Sequence, residues 1–147
     1  TEIYTLSLHD ALPICAALSG AKMSIATPKG FEPDKSTVKV SQNLTDIELT
    51  TDPLKAAENA DVVVTDTYSS IHNNDSKRIK KFIPKYQVND KIMDLAKKNA
   101  IFLHCLPAKR DQEVTSSVID GPQSVVWDEA ENRLHTQKAL LCALLHA

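Results

Sequence analysis

Three side chains in this sequence stand where chemistry is commonly done. His104 and Cys105 are adjacent and follow the apolar run 101–103, Ile-Phe-Leu, which reads as a buried strand. Leu106-Pro107 stops that strand, because proline lacks a ladder donor and restricts the residue before it. Asp66 closes residues 61–65, whose three consecutive valines make the clearest buried strand of the chain. Ligands of open α/β sheets bind outside the carboxyl ends of the strands. A carboxylate and a His-Cys pair are thus expected at a reactive edge. Position alone equally admits a packed cysteine, a surface histidine and a turn-capping aspartate.

The elements that must position these groups follow from pattern. Residues 14–20 are small and apolar and stop at Gly20, as a helix end does. Residues 23–26 form a short strand, and a helix is expected to start at Glu32-Pro33, with proline in its first turn, and to run over 35–44. Ile47 and Leu49 alternate with Asp46, Glu48 and Thr50, a half-exposed strand; Asp52-Pro53 then opens a short helix. Residues 75–86 are basic and read as a solvated helix face, and 87–98 as a second helix with Val88, Ile92, Leu95 and Ala96 on one side. Past the His-Cys stretch come a short helix or turn over 114–120 and a last strand over 124–127. Asp128 and Glu131 then form a capping box for a final helix with Leu134, Leu141, Leu144 and Leu145 on one stripe. Strands alternating with helices predict an α/β domain, a parallel sheet with helices on both faces.

Bulk properties narrow the function. The chain has 147 residues, the length of one domain, with 42% hydrophobic and 24% charged residues and a net charge of −2. That balance offers no broad basic surface for nucleic acid. No apolar run reaches the roughly 20 residues that span a bilayer. The three widely spaced cysteines, Cys15, Cys105 and Cys142, fit neither a disulfide framework nor a zinc pattern, and point to a reducing cytoplasm.

His104-Cys105-Leu106-Pro107 with Glu113-Val114, then Gly121-Pro122-Gln123-Ser124-Val125-Val126, then Ala130-Glu131-Asn132-Arg133, resemble in order the motifs of the ornithine carbamoyltransferase family. The resemblance runs from about residue 16 to residue 145 and covers the family's amino-acid-binding domain, its second half. It implies a Rossmann-like fold and the reaction of carbamoyl phosphate with L-ornithine to give L-citrulline and phosphate, a step of arginine biosynthesis. It implies no metal or organic cofactor, and a homotrimer built through the N-terminal domain. By the same resemblance Asp66 binds the α-amino group of ornithine, and Ser70 and Ile71 belong to the amino-acid loop. Cys105 and the Leu106 carbonyl sit beside the reacting centre, and Arg133 binds carbamoyl phosphate. Cys105 and Arg133 are the catalytic candidates. His104 is read as structural, and Glu131 and Asn132 as supports of the helix start.

The sequence departs from the family in three places. Ile71 and His72 stand where the family loop has methionine and glycine, and glycine often supplies a backbone conformation that other residues avoid. This leaves room for a different amine or amino acid as substrate. Residues 1–14 do not resemble the family and read as an artefactual non-native leader, a translated sequencing adapter. Residues 15–147 then form the ornithine-binding domain, truncated at its start and lacking the first strand and an asparagine-bearing loop. Residues 1–14 are expected to add little packing, whether left out of the fold or filling the empty strand place with residues 3–8. The family's Ser-Thr-Arg-Thr and His-Pro-x-Gln segments, which belong to the first domain, are absent, so the chain is expected to be inactive alone. A non-catalytic binding module of the same fold is the alternative from another class.

Overall fold

In chain order the elements of the computed structural model are β1 (Glu2–Thr5), α1 (Ala11–Ser19), β2 (Lys22–Ala26), α2 (Lys35–Gln42), β3 (Ile47–Thr50), α3 (Pro53–Ala57), β4 (Val62–Thr65), α4 (Ser76–Phe82), α5 (Asp90–Leu95), β5 (Ile101–His104), α6 (Ser116–Ile119) and α7 (Val126–Leu145). The structure describes residues 2–5, 11–68 and 76–146. The strands form one sheet in the order β3-β2-β1-β4-β5, and every pairing is parallel. The chain winds outward from β1 to β3, then returns to lay β4 on the other side of β1. Reversals of this kind open a crevice at the carboxyl edge.

Side-chain alternation along the strands divides the interior in two. Met23 and Ile25 point to one face and pack with Ala16 of α1, Val38 of α2 and Ile47. Ala26, Val63 and Phe102 serve the other face, with Ala57 of α3, Phe82 of α4, Ile92 of α5 and Ile119 of α6. On that side Phe82 stacks on Tyr68 at 4.6 Å and meets Phe31 and Tyr86 edge-on. The Rossmann-like sheet with helices on both faces is the expected one.

Local chemistry sets most boundaries. Gly20 ends α1 at φ 70°, and Asp52 caps α3 ahead of Pro53. Asp34 caps α2 through the Ser36 and Thr37 amides, so that helix starts after Pro33 and not on it. Asn89 caps α5, which is shorter than expected because Val88 pairs with Val114 in a parallel bridge.

Two outcomes turn on the main chain. Of the two courses expected for the first residues, the second is met: β1 fills the central strand place between β2 and β4, with Ile3 in register with Met23 and Val62. Ile3 packs against the smaller core and Pro13 in α1 is buried, so these two residues of the stretch expected to add little do contribute packing. A ladder is made of peptide groups and asks little of side-chain identity. The last strand expected over 124–127 reduces to one bridge, Phe102 with Ser124. The chain then enters α7 at Val126, and Asp128 falls inside the first turn while Val125 holds the cap position without a side-chain bond. Of α7 only Val126 is buried; the stripe of Leu134, Leu141, Leu144 and Leu145 is exposed.

Candidate functional site

Register alone brings Asp66 and Cys105 together. Thr65 and His104 are paired at the ends of β4 and β5, and the next residue of each strand steps off the carboxyl edge. The Cys105 thiol donates to Asp66 Oδ1 at 3.1 Å. Partial burial, then the Asp66 hydrogen bond and charge, then the charge of Glu129, push the thiol up to about 12. At neutral pH Cys105 is therefore a protonated donor and not a nucleophilic thiolate.

The turn that follows is held from beneath. His104 is buried, and its Nδ1 accepts the Leu106 N–H at 2.9 Å. The proton of the neutral ring thus belongs on Nε2, which faces Glu113 Oε1 at 3.2 Å. That oxygen also accepts the Lys109 N–H, while Glu113 Oε2 is buried without a partner among the described residues. Leu106, fixed between these contacts, has φ 51°, a left-handed conformation that a leucine adopts only when its surroundings impose it. Non-glycine strain of this kind concentrates at binding sites.

Cys105, Leu106 and Pro107 form one wall of an open groove of ≈ 580 Å³, and Trp127, Ala130 and Arg133 of α7 form the other. Arg110 also lines it but is engaged by Asp120 in a two-pronged ion pair. Arg133 has no ion-pair partner among the described residues, so its guanidinium is available to a ligand. Asp66 reaches this groove through the Cys105 thiol. Glu129, half-buried on the first turn of α7, accepts the His104 N–H at 2.8 Å; burial raises its carboxyl above the ordinary value. The site therefore pairs an acidic side, Asp66 and Glu129, with a free guanidinium. That suits a zwitterionic ligand with a cationic amine next to a carbonyl or phosphate oxygen.

A larger cavity of ≈ 630 Å³ lies at the amino edge of β2 and β3. Four of its charged groups are already paired, Lys22 with Asp46 at 3.0 Å and Lys55 with Glu48 at 2.6 Å; Glu58 lines it as well. The described residues hold no cluster of metal-binding side chains and no helix long and apolar enough to cross a membrane.

Comparison with known proteins decides the family. The profile of the aspartate/ornithine carbamoyltransferase Asp/Orn binding domain matches residues 7–144. The chain belongs to that family. An ornithine carbamoyltransferase of Cenarchaeum symbiosum is 59% identical over 130 residues, which are 88% of this chain and 43% of that protein. The crystal structure of the anabolic ornithine carbamoyltransferase of Campylobacter jejuni superposes with a TM-score of 0.91 at 32% identity, covering 99% of this chain and 51% of that one. The ornithine carbamoyltransferase of Pyrococcus furiosus gives 0.88 at 43% identity, covering 95% and 48%. The chain spans about half the length of the relatives it matches.

Within this Asp/Orn binding domain, the structure brings Asp66, Cys105, Leu106 and Arg133 to one edge. Ser70 and Ile71, expected in the amino-acid loop, lie outside the described residues. Sequence reasoning gave no role to Glu113 and Glu129. Glu113 stands inside a recognised motif, but its approach to His104 is a loop closure that no periodicity encodes. Glu129 had a visible signal, a position one helical turn before Arg133 on the same helix face.

Proposed function

We propose that this chain is the ornithine-binding half of an ornithine carbamoyltransferase, which converts carbamoyl phosphate and L-ornithine to L-citrulline and phosphate. The observation that carries this reading is the hydrogen bond from the Cys105 thiol to Asp66, set across one groove from Arg133, which has no ion-pair partner among the described residues. Asp66 holds the α-ammonium group of ornithine by charge-assisted bonds. The protonated Cys105 and the Leu106 carbonyl orient the attacking amine at the carbamoyl carbon. Arg133 binds the carbamoyl phosphate oxygens with its planar donors, where charge develops during the transfer. Ser70 and Ile71 complete the amino-acid site. No cofactor enters the scheme.

The same reading makes residues 1–14 a non-native leader and residues 15–147 the functional domain. Its partners are a carbamoyl-phosphate-binding domain and, through it, a homotrimer; its setting is the cytoplasm and arginine biosynthesis. One sequence feature favours a second reading: Ile71-His72 alters the loop expected to contact the amino acid, which fits a carbamoyltransferase acting on another amine.

Titration calorimetry with a panel of amino acids tests the reading. L-ornithine should bind best but weakly, at about millimolar strength, and Asp66→Ala should abolish the heat. Preference for a different amine would favour the second reading, and no amino-acid binding at all would remove the site.

A further inference from the structure

The free edge of β5 ends in a bond that belongs to no strand. Phe102 and His104 direct their amides away from β4, as alternate residues of an edge strand do. The Phe102 N–H finds the Gln123 carbonyl at 2.8 Å, and the Phe102 carbonyl accepts the Val125 N–H at 3.0 Å. Two residues further along the edge no main chain remains, because the polypeptide has turned into α7 at Val126. The Glu129 carboxylate takes the place of the missing carbonyl and accepts the His104 N–H at 2.8 Å. His104 immediately precedes Cys105, and Arg133 stands one helical turn beyond Glu129 on the same side of α7. α7 is otherwise buried only at Val126.

We propose that Glu129 is a positioning residue: its carboxylate ties the first turn of α7 to the end of β5 and so sets the distance between Arg133 and Cys105 across the groove. This rests on the reading of Cys105 and Arg133 as two sides of one substrate site. A helix joined to a sheet edge by one bridge and one buried valine pivots about that bridge. A second attachment, four residues from Arg133, removes the pivot. The groups facing Glu129 are His104 and Cys105 on β5 and its turn, and Asp66 at the end of β4. Arg133 and Arg110 line the groove beyond. The raised carboxyl of Glu129 accords with a half-buried acid facing Asp66.

The test uses this chain itself. Hydrogen exchange at the His104 amide should accelerate about tenfold or more in Glu129→Ala, where the acceptor is lost. Glu129→Gln, which keeps a carbonyl acceptor without the charge, should restore protection. A second readout follows the groove directly. Trp127 is the single tryptophan and shares the groove with Cys105. In a Cys15→Ser, Cys142→Ser background, a nitroxide on Cys105 should quench Trp127 emission, less so in Glu129→Ala, and fully again in Glu129→Gln. Unchanged exchange and quenching in Glu129→Ala would overturn the tether. So would a Glu129→Gln protein as loose as Glu129→Ala, since charge and not the bond would then matter. Neither readout needs substrate. Full citrulline formation by Arg133→Ala, in the chain joined to a carbamoyl-phosphate-binding domain, would therefore count against the proposed function and leave the tether standing.

Discussion

The end of β5 and the body of α7 carry the two halves of the site in opposite physical settings. Around β5, His104 and Glu113 are fully buried and bonded, Leu106 is held in a strained conformation, and Cys105 is bonded to Asp66. Along α7, every residue after Val126 is open or half-open, and Trp127, Leu134, Leu141 and Leu145 are 70, 65, 60 and 80% exposed. The groups proposed to orient the amine sit on a buried, multiply bonded turn. The guanidinium proposed to meet carbamoyl phosphate sits on a helix whose described residues are mostly exposed. The difference teaches that, under the proposed function, the amino-acid side of the site is held by the core of this domain, whereas Arg133 is held only through its helix.

Mutations should expose that contrast, most strongly in the core behind β5. Phe82→Ala removes a ring packed against Tyr68, Phe31 and Tyr86 and should cost about 3–5 kcal/mol. Leu141→Ala on α7 should change stability by less than about 0.5 kcal/mol. Denaturant unfolding of the two variants measures both, and equal losses would erase the distinction between the regions.

Next in size is the support of the turn. Glu113→Ala leaves the Lys109 amide and His104 Nε2 without their buried acceptor, a loss of about 3 kcal/mol. The same unfolding experiment reads it, and a neutral result would mean that the buried pair contributes nothing to the fold.

Thiol chemistry sharpens the comparison further. Cys105, with its thiol pushed up to about 12, should alkylate at least about tenfold more slowly than Cys142, which is exposed on α7. Asp66→Asn removes an acceptor and a charge and should speed alkylation at Cys105 alone. Peptide-resolved mass spectrometry after iodoacetamide separates the sites.

The smallest effect concerns pH. The carboxyl of Glu129 is raised in the fold by burial above the ordinary 4.5, so the folded chain binds more protons than the unfolded one in that window. Stability contributed through this group is present in acid and falls as pH rises from the unfolded toward the folded value. Thermal unfolding against pH should show a downward slope in that window for the parent relative to Glu129→Gln. A parallel pair of curves would remove the burial argument.

Much of this was legible in the residues. The run of valines at β4, the apolar run at β5, Gly20 as a helix stop and Asp52-Pro53 as a helix start are local signals, and each was met. Asp66 and Cys105 could be placed at the carboxyl edge because strand ends follow from pattern. What escaped depends on contacts distant in sequence. Pattern leaves open whether the first residues fill the empty strand place or stay out of it, and residues 2–5 fill it through peptide groups that any side chains carry. Residues 124–127 looked like a strand because Val125 and Val126 are β-branched, yet β5 offers pairing for one residue before burial of Val126 turns the chain into α7. Asp128 resembled a helix cap for the same reason, since the true start lies two residues earlier.

The central claim, that this chain holds the amino-acid half of a carbamoyl-transfer site and requires a phosphate-binding half, is tested most directly by citrulline formation. Purified chain supplied with carbamoyl phosphate and L-ornithine should give only background, because loss of even one donor at such a centre costs about 100- to 1000-fold. The same chain joined to a family carbamoyl-phosphate-binding domain should turn over, and Arg133→Ala in that protein should abolish most of the activity. Turnover by the chain alone, or full activity without Arg133, would contradict the account.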